Sequence, residues 1–271
     1  MTDRYAVIGN PIAHSKSPAL HAAFARQCAQ DISYEAILGP LDAFRATVEA
    51  FRQAGGRGMN VTVPFKLEAM ALADKLTPRA RQAQAVNTLR FDQDGIFGDN
   101  TDGVGLVNDI QGRLGVSLAG KRILILGAGG AARGAILPLL EQQPARLSVA
   151  NRTLEKAEAL RGQFAGFGTV DASSYADLSG QAFDVVINAT SSGLHGARLT
   201  LPAGLFAPGS LAYDMVYADA QTGFLQDAQA QGASQLSDGL GMLVGQAAES
   251  FFLWRGVRPE TASVLAMLRQ G

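Results

Sequence analysis

Two residues in this chain stand out as suited to acid–base chemistry. Lys66 ends the run Met59-Asn60-Val61-Thr62-Val63-Pro64-Phe65-Lys66, and Asp102 lies in Asn100-Thr101-Asp102-Gly103. Neither segment reads as core, because Asn60, Thr62, Lys66, Asn100, Thr101 and Asp102 all carry hydrogen-bonding or charged heads. A lysine and a carboxylate from separate loops can share a proton if the fold joins them, and carbonyl/alcohol interconversion needs such a pair. Alone, Lys66 would read as a surface lysine and Asp102 as a helix cap. The polar residues around each give them weight. Ser15 and Ser17, in Pro11-Ile12-Ala13-His14-Ser15-Lys16-Ser17-Pro18, could bind hydroxyl or carboxylate oxygens of a small molecule. Ser17 before Pro18 also reads as an N-cap, whereas Ser15 has no such duty.

A second constellation would hold a dinucleotide. Ile123-Leu124-Ile125-Leu126 runs into Gly127-Ala128-Gly129-Gly130-Ala131-Ala132. Gly127 permits the tight turn, Gly129 lets backbone approach a pyrophosphate, and the amides of the following helix can bind its charge. Where an NAD enzyme usually carries an acid for the ribose 2′-hydroxyl, this chain has Asn151-Arg152-Thr153, followed by Lys156. A guanidinium with no carboxylate beside it suits a 2′-phosphate, so NADP is the expected cofactor. Asn151 or Thr153 could equally cap the next helix.

The elements that position these groups alternate along the chain. Tyr5–Ile8 reads as a strand, and a helix opens at Ser17-Pro18. Leu41, Phe44, Val48 and Phe51 fall at helical spacing, ended by Gly55-Gly56. Asp94-Gly95 marks a hairpin. From Ile123, strand-like runs at 123–126, 147–150, 169–170, 185–188 and 211–213 alternate with helix-length segments, which predicts a parallel sheet covered on both faces. Gly239–Arg255 closes the pattern as a helix.

The chain has 271 residues, 47% hydrophobic and 17% charged, with a net charge of −1. Nothing here favours nucleic acid, and no run is a membrane span, since the longest apolar stretch contains Arg133, Pro138 and four glycines. The lone Cys28 fits a reducing compartment, and the reading is of a cytoplasmic protein. Three histidines without a Cys/His cluster suggest no metal site, and the spacing of Asp92, Asp94, Asp99 and Asp102 fails as a calcium loop.

Over nearly its whole length the chain resembles the shikimate dehydrogenases. The match runs through Gly9–Pro18, Asn60–Lys66, Asn100–Gly105, Gly127–Ala131, Asn151–Thr153, Asn188-Ala189-Thr190-Ser191-Ser192-Gly193 and Asp238–Leu243, in the family's order and spacing. The resemblance implies reversible, NADP-dependent reduction of 3-dehydroshikimate to shikimate. Ser15 and Ser17 would hold the substrate carboxylate. Asn60, Thr62, Asn87, Tyr217 and Gln246 would complete the substrate shell around Lys66 and Asp102. Gly127, Ala128, Gly129, Gly130 and Ala131, with Asn151, Arg152, Thr153, Lys156 and Thr190, would grip the cofactor, and Met215 and Gly239 would approach its nicotinamide. The implied architecture is α/β. A substrate domain, 1–102 completed by C-terminal helices in 238–271, joins a Rossmann-type doubly wound NADP domain, 103–237, in a monomer or homodimer. One departure follows Tyr217, where Ala218-Asp219-Ala220-Gln221-Thr222 lacks the family's usual proline, so a freer loop is expected. A quinate/shikimate dehydrogenase using NAD, and a non-catalytic binding module, are the rival expectations.

Overall fold

The computed structural model describes residues 2–190 and 198–270, so Ser191, Ser192 and Gly193 of the expected motif lie outside the described residues. The chain forms two compact units, one of residues 1–105 with 243–271 and the other of 106–242.

In the first unit the elements are β1 (Asp3–Gly9), α1 (Ser17–Gln27), β2 (Ile32–Leu38), α2 (Phe44–Gln53), β3 (Gly56–Val61), α3 (Lys66–Leu72), β4 (Lys75–Leu76), α4 (Pro78–Ala83), β5 (Thr88–Asp92), β6 (Gly95–Asp99) and the start of α5 (Asp102–Asn108). They build a six-stranded sheet in the order β2-β1-β3-β5-β6-β4. The three strands β2, β1 and β3 run parallel, while β5 is antiparallel to both β3 and β6. This topology sends the carboxyl ends of β1 and β3, the start of β5 and the end of β6 to one edge of the sheet. Lys66, Asn87 and Asp102 therefore emerge together. The Asp94-Gly95 hairpin forms, with Gly95 at φ 134° where a side chain would be strained. Phe44, Val48 and Phe51 of α2 meet Ile8, Met59 and Phe65 in one core, but Leu41 is exposed and precedes the helix.

The second unit continues α5 as a π-helical turn (Asp109–Arg113), then β7 (Arg122–Leu126), α6 (Gly130–Leu140), β8 (Arg146–Ala150), α7 (Leu154–Phe164), β9 (Val170–Ser173), β10 (Phe183–Asn188), β11 (Phe206–Asp214), α8 (Gly223–Ala230) and β12 (Gln235–Ser237). Its sheet runs β12-β11-β10-β7-β8-β9 and every pairing is parallel, the doubly wound order. Ile123 and Ile125 of β7 enter the core beneath α6 and α7, while Leu124 and Leu126 enter the opposite core with Phe224 and Leu225 of α8. Burial on both faces explains why these strands read as unbroken apolar runs.

The chain then enters α9 (Leu240–Arg255) and α10 (Ala262–Gln270). The part of α9 from Leu243 onward packs on the first unit. Trp254 stacks on Tyr5 at 4.6 Å and its indole donates to the Leu89 carbonyl at 2.9 Å. Both crossings between units fall inside helices, α5 after Gly105 and α9 after Met242, a few residues beyond the expected changes at 102 and 237. Gly105 and Gly245 account for the first-unit side of that boundary. A Cβ on Gly105 would lie 2.5 Å from the Gln246 amide nitrogen, and one on Gly245 would lie 2.8 Å from the Gly105 carbonyl. The two helices touch backbone to backbone there, so the packing does not stop at a loop.

Candidate active site

The first unit joins the lysine and the aspartate. Lys66 is the first residue of α3, Asp102 the first of α5, and the ammonium donates to Asp102 Oδ2 at 2.5 Å. Their side chains are 31% and 15% exposed, dry enough to strengthen the pair and open enough to meet a ligand. The other carboxylate oxygen, Oδ1, accepts from Asn87 Nδ2 at 2.8 Å. The Asp102 amide donates to Asn100 Oδ1 at 3.2 Å. Asn87 also donates to Gln246 Oε1 at 3.3 Å, which brings α9 to the same edge. An ammonium has three protons, and among the described residues Asp102 is its partner, so two protons remain for a substrate oxygen.

The neighbouring loops assemble on glycine. A Cβ on Gly9 would lie 2.4 Å from the Thr62 methyl and 3.0 Å from Ile12, so the loops after β1 and β3 touch. Asn10 N donates to the Val63 carbonyl at 3.0 Å and Thr62 N to Ile8 at 3.0 Å, which fixes Thr62 beside the Ser15 loop. The local capping duties of the two serines differ from expectation. Ser15 Oγ accepts from the Ser17 amide at 3.3 Å, whereas Lys16 is the N-cap of α1 and has no side-chain cap bond. Ser15 therefore does have a local duty. Ser17 is buried as the first helical residue, because Pro18 starts the helix without needing an amide bond.

Asn60, expected in the substrate shell, is held among internal partners. It is 6% exposed. Its Nδ2 donates to the Asn87 carbonyl at 3.2 Å and to Ser250 Oγ at 3.0 Å, and its Oδ1 accepts from Tyr34 at 2.7 Å. The amide is engaged inside the protein.

In the second unit, Gly127, Ala128, Gly129, Gly130, Ala131, Asn151, Arg152 and Thr190 line a cavity of about 410 Å³, together with Tyr175, Ala189 and Leu199. It opens where the sheet reverses order, between β7 and β10. Gly127 has φ 99°, and a Cβ there would press on Thr190 at 2.9 Å, so the first glycine is required on both counts. Gly129 caps α6 with no side-chain acceptor, and a Cβ on Gly129 or Gly130 would meet only open space. The first amides of the helix thus face the cavity and fit an anionic group. Arg152 makes no ion pair among the described residues, and no carboxylate lines the cavity. This donor set fits a 2′-phosphorylated dinucleotide.

Thr153 and Lys156 open α7 and do not line the cavity. Thr153 is the N-cap, though its side chain makes no cap bond, and Asn151 Nδ2 instead donates to the Thr153 carbonyl at 2.8 Å. Tyr175, two residues beyond β9, was not anticipated, since nothing in its local sequence marks it. Burial raises its phenol pKa, and the nearby Arg152 charge opposes the rise.

Met215 and Gly239 are brought together, and neither lines this cavity. A Cβ on Gly239 would lie 2.1 Å from the Met215 carbonyl, so only glycine fits. Tyr217 is 38% exposed on the same unit. The loop it begins is clamped at both ends by Asp214, which accepts from the Val216 amide at 3.1 Å and from Thr222 Oγ1 at 2.6 Å.

Comparisons with known proteins agree with this geometry. The family model described as "Shikimate dehydrogenase substrate binding domain" matches residues 7–89. "Shikimate / quinate 5-dehydrogenase" matches 109–196, and "Shikimate 5'-dehydrogenase C-terminal domain" matches 239–269. The shikimate dehydrogenase (NADP(+)) of Nitrosospira multiformis is 63% identical over 269 residues, covering 99% of this chain and 98% of its own. Among solved structures, an Ael1 enzyme from Pseudomonas putida superposes with a TM-score of 0.93 at 47% identity, covering 98% of each chain. Shikimate 5-dehydrogenase from Thermus thermophilus, in complex with NADP(H) and shikimate, superposes at 0.89 with 36% identity over 99% of each chain. With the substrate-side matches falling on the unit that carries Lys66 and Asp102, and the dehydrogenase match on the unit that carries the glycine turn, this chain belongs to the shikimate dehydrogenase family.

Proposed function

We propose that this protein is an NADP-dependent shikimate dehydrogenase, reversibly reducing 3-dehydroshikimate to shikimate, with the first unit binding substrate and the second binding cofactor. The observation that carries the reading is the 2.5 Å contact between Lys66 and Asp102, with Asn87 on the carboxylate's other oxygen. The nicotinamide, when bound, supplies or accepts a hydride at the substrate's reacting carbon. Lys66 then handles the proton. In reduction its ammonium gives a proton to the oxygen whose double bond to carbon is lost; in oxidation its amine takes the hydroxyl proton as the carbonyl forms. Asp102 keeps the lysine head in place through Oδ2, and its remaining lone pairs can accept from a substrate hydroxyl. Ser15, Ser17, Thr62 and Gln246 would offer donors to the carboxylate and ring hydroxyls, and the family resemblance adds the Tyr217 phenol to that set.

Arg152 is the residue that would select NADP over NAD, with Asn151, Thr153 and Lys156 around the 2′-phosphate. Gly127–Ala131 and Thr190 would hold the pyrophosphate, and Met215 and Gly239 would face the nicotinamide. Among the described residues no helix is long and apolar enough to cross a membrane. We place the protein in the cytoplasm, as a monomer or homodimer.

The test is reduced-nicotinamide absorbance with purified protein, shikimate or quinate, and NADP or NAD. Rapid reduction with shikimate and NADP alone is expected. Comparable rates with quinate or NAD would assign a broader dehydrogenase, and no turnover in any combination would leave only a binding module.

A further inference from the structure

We infer that Ser250, on α9, is a positioning residue for the Lys66–Asp102 pair, acting through a directed chain of hydrogen bonds that fixes which way the Asn87 amide faces. The inference rests on the proposed role of that pair. Ser250 is fully buried, and its hydroxyl joins three segments distant in sequence. It accepts from Asn60 Nδ2 at 3.0 Å, meets Thr88 Oγ1 at 2.7 Å and meets Thr101 Oγ1 at 3.2 Å. Its one proton has a second acceptor within reach, the Gln246 carbonyl one turn back on α9 at 3.0 Å.

With the serine proton on the 2.7 Å contact to Thr88 in place of the 3.0 Å contact to the Gln246 carbonyl, the short contacts run in a single direction. Tyr34 donates to Asn60 Oδ1, and Asn60 Nδ2 donates to Ser250. Ser250 donates to Thr88, and Thr88 donates to Asn87 Oδ1 at 2.9 Å. Asn87 Nδ2 donates to Asp102 Oδ1, and Lys66 donates to Asp102 Oδ2. Every donor between the tyrosine and the carboxylate then has an acceptor.

The direction matters because an amide has two unlike ends. Asn87 Oδ1 is held by the Thr88 hydroxyl and by the Thr101 amide at 2.9 Å, so Nδ2 must face Asp102. Turned over, the amide would set its carbonyl oxygen against a carboxylate. Ser250 favours the correct sense by giving its proton to Thr88, which leaves the Thr88 proton for Asn87. Without the serine hydroxyl, Thr88 can turn its own proton elsewhere, Asn60 loses an acceptor in a dry site, and Asn87 Oδ1 keeps the Thr101 amide but loses the directed Thr88 proton, so its hold on Asp102 loosens.

The experiment compares the Ser250→Ala, Lys66→Ala and unmodified proteins by steady-state kinetics in light and heavy water, with NADPH affinity measured separately by calorimetry. For Ser250→Ala, kcat is expected to fall about 10- to 100-fold. Its KM for shikimate should stay within about threefold, and its solvent isotope effect on kcat should rise as proton transfer becomes more limiting. NADPH affinity should be unchanged, since the cofactor cavity lies on the other unit. An unaltered kcat, a loss carried mainly in KM, an unchanged isotope effect, or a loss that merely tracks NADPH-binding protein would each overturn the positioning role. A Lys66→Ala protein that keeps near-native turnover, or an unmodified protein without turnover, would instead remove the function on which the inference stands.

Discussion

Lys66 and Asp102 each begin a helix, and the two starts are not electrostatically equivalent. An ammonium at the N-terminus of α3 faces the positive end of the helix dipole, a placement worth roughly 0.3–1 kcal/mol against it, while a carboxylate at the N-terminus of α5 is favoured by a similar amount. Replacing Lys66 with alanine should lower kcat by at least about 10²-fold, the lower range for a placed acid–base group, with KM changed far less. Steady-state rates with near-native kcat would sink the assignment. On the cofactor side, Arg152→Ala should lower kcat/KM for NADPH about tenfold or more and leave NADH almost untouched, because a charged hydrogen bond to phosphate is worth roughly 1.5–3 kcal/mol. Parallel losses with both cofactors would show that Arg152 shapes the cavity without reading the phosphate. At this scale the sequence was informative where the neighbours narrow a residue's use, as the polar runs around Lys66 and Asp102 and the glycine turn around Gly127 do. It misplaced only the cap of α1, at Ser17 where Lys16 stands, because in two serines flanking one lysine before a proline backbone geometry alone separates the capping duties.

At the scale of elements, legibility followed burial. The strands β7, β8 and β10 announced themselves because both faces are covered and nearly every position is apolar. The strands β2 and β12 passed unnoticed because they are sheet edges with half their residues polar or exposed, and β4 is only two residues long. Asn60 read as a binding residue because its neighbours do, and the partners that engage it lie at 34, 87, 88 and 250. No local pattern can show a group assembled from such distances. The loop after Tyr217 lacks a proline, yet Asp214 ties it at Val216 and Thr222. Thr222 also caps α8, accepting from the Leu225 amide at 3.4 Å. Replacing Thr222 with alanine removes the cap and strands a buried carboxylate oxygen, at a cost of about 1–3 kcal/mol. Urea unfolding should show a lower midpoint at unchanged slope; an unmoved midpoint would mean the clamp contributes nothing.

At the scale of the whole molecule, His21 makes stability sensitive to acid. It is fully buried on α1, stacks on Tyr34 at 4.2 Å, and packs among Phe24, Phe251 and Trp254. Neither ring nitrogen has a hydrogen-bond partner among the described residues. Burial drives its pKa from 6.5 down to about 3, against a smaller opposing pull from Asn60. Between those values the unfolded chain takes up a proton that the folded protein refuses. Stability is therefore full above pH 6.5 and declines as pH falls toward 3, by up to about 1.4 kcal/mol per pH unit from this group. A His21→Phe protein should show a flatter acid limb in chemical unfolding followed from pH 7 to 4. Curves that stay parallel would exclude His21 as the titrating group.

The interrupted first unit has a consequence for the order in which the protein comes into being. Residues 243–271 leave the ribosome only after all of 106–242, and they carry Ser250, Phe251 and Trp254. Until then the nascent first unit shows Tyr5, Phe24 and His21 as an uncovered aromatic face, with Asn60, Thr88 and Thr101 lacking their common hydroxyl. The uninterrupted second unit can close its two cores in the meantime. The first unit, begun earliest, would therefore be the last to complete its packing, once Ser250, Phe251 and Trp254 arrive to cover that face.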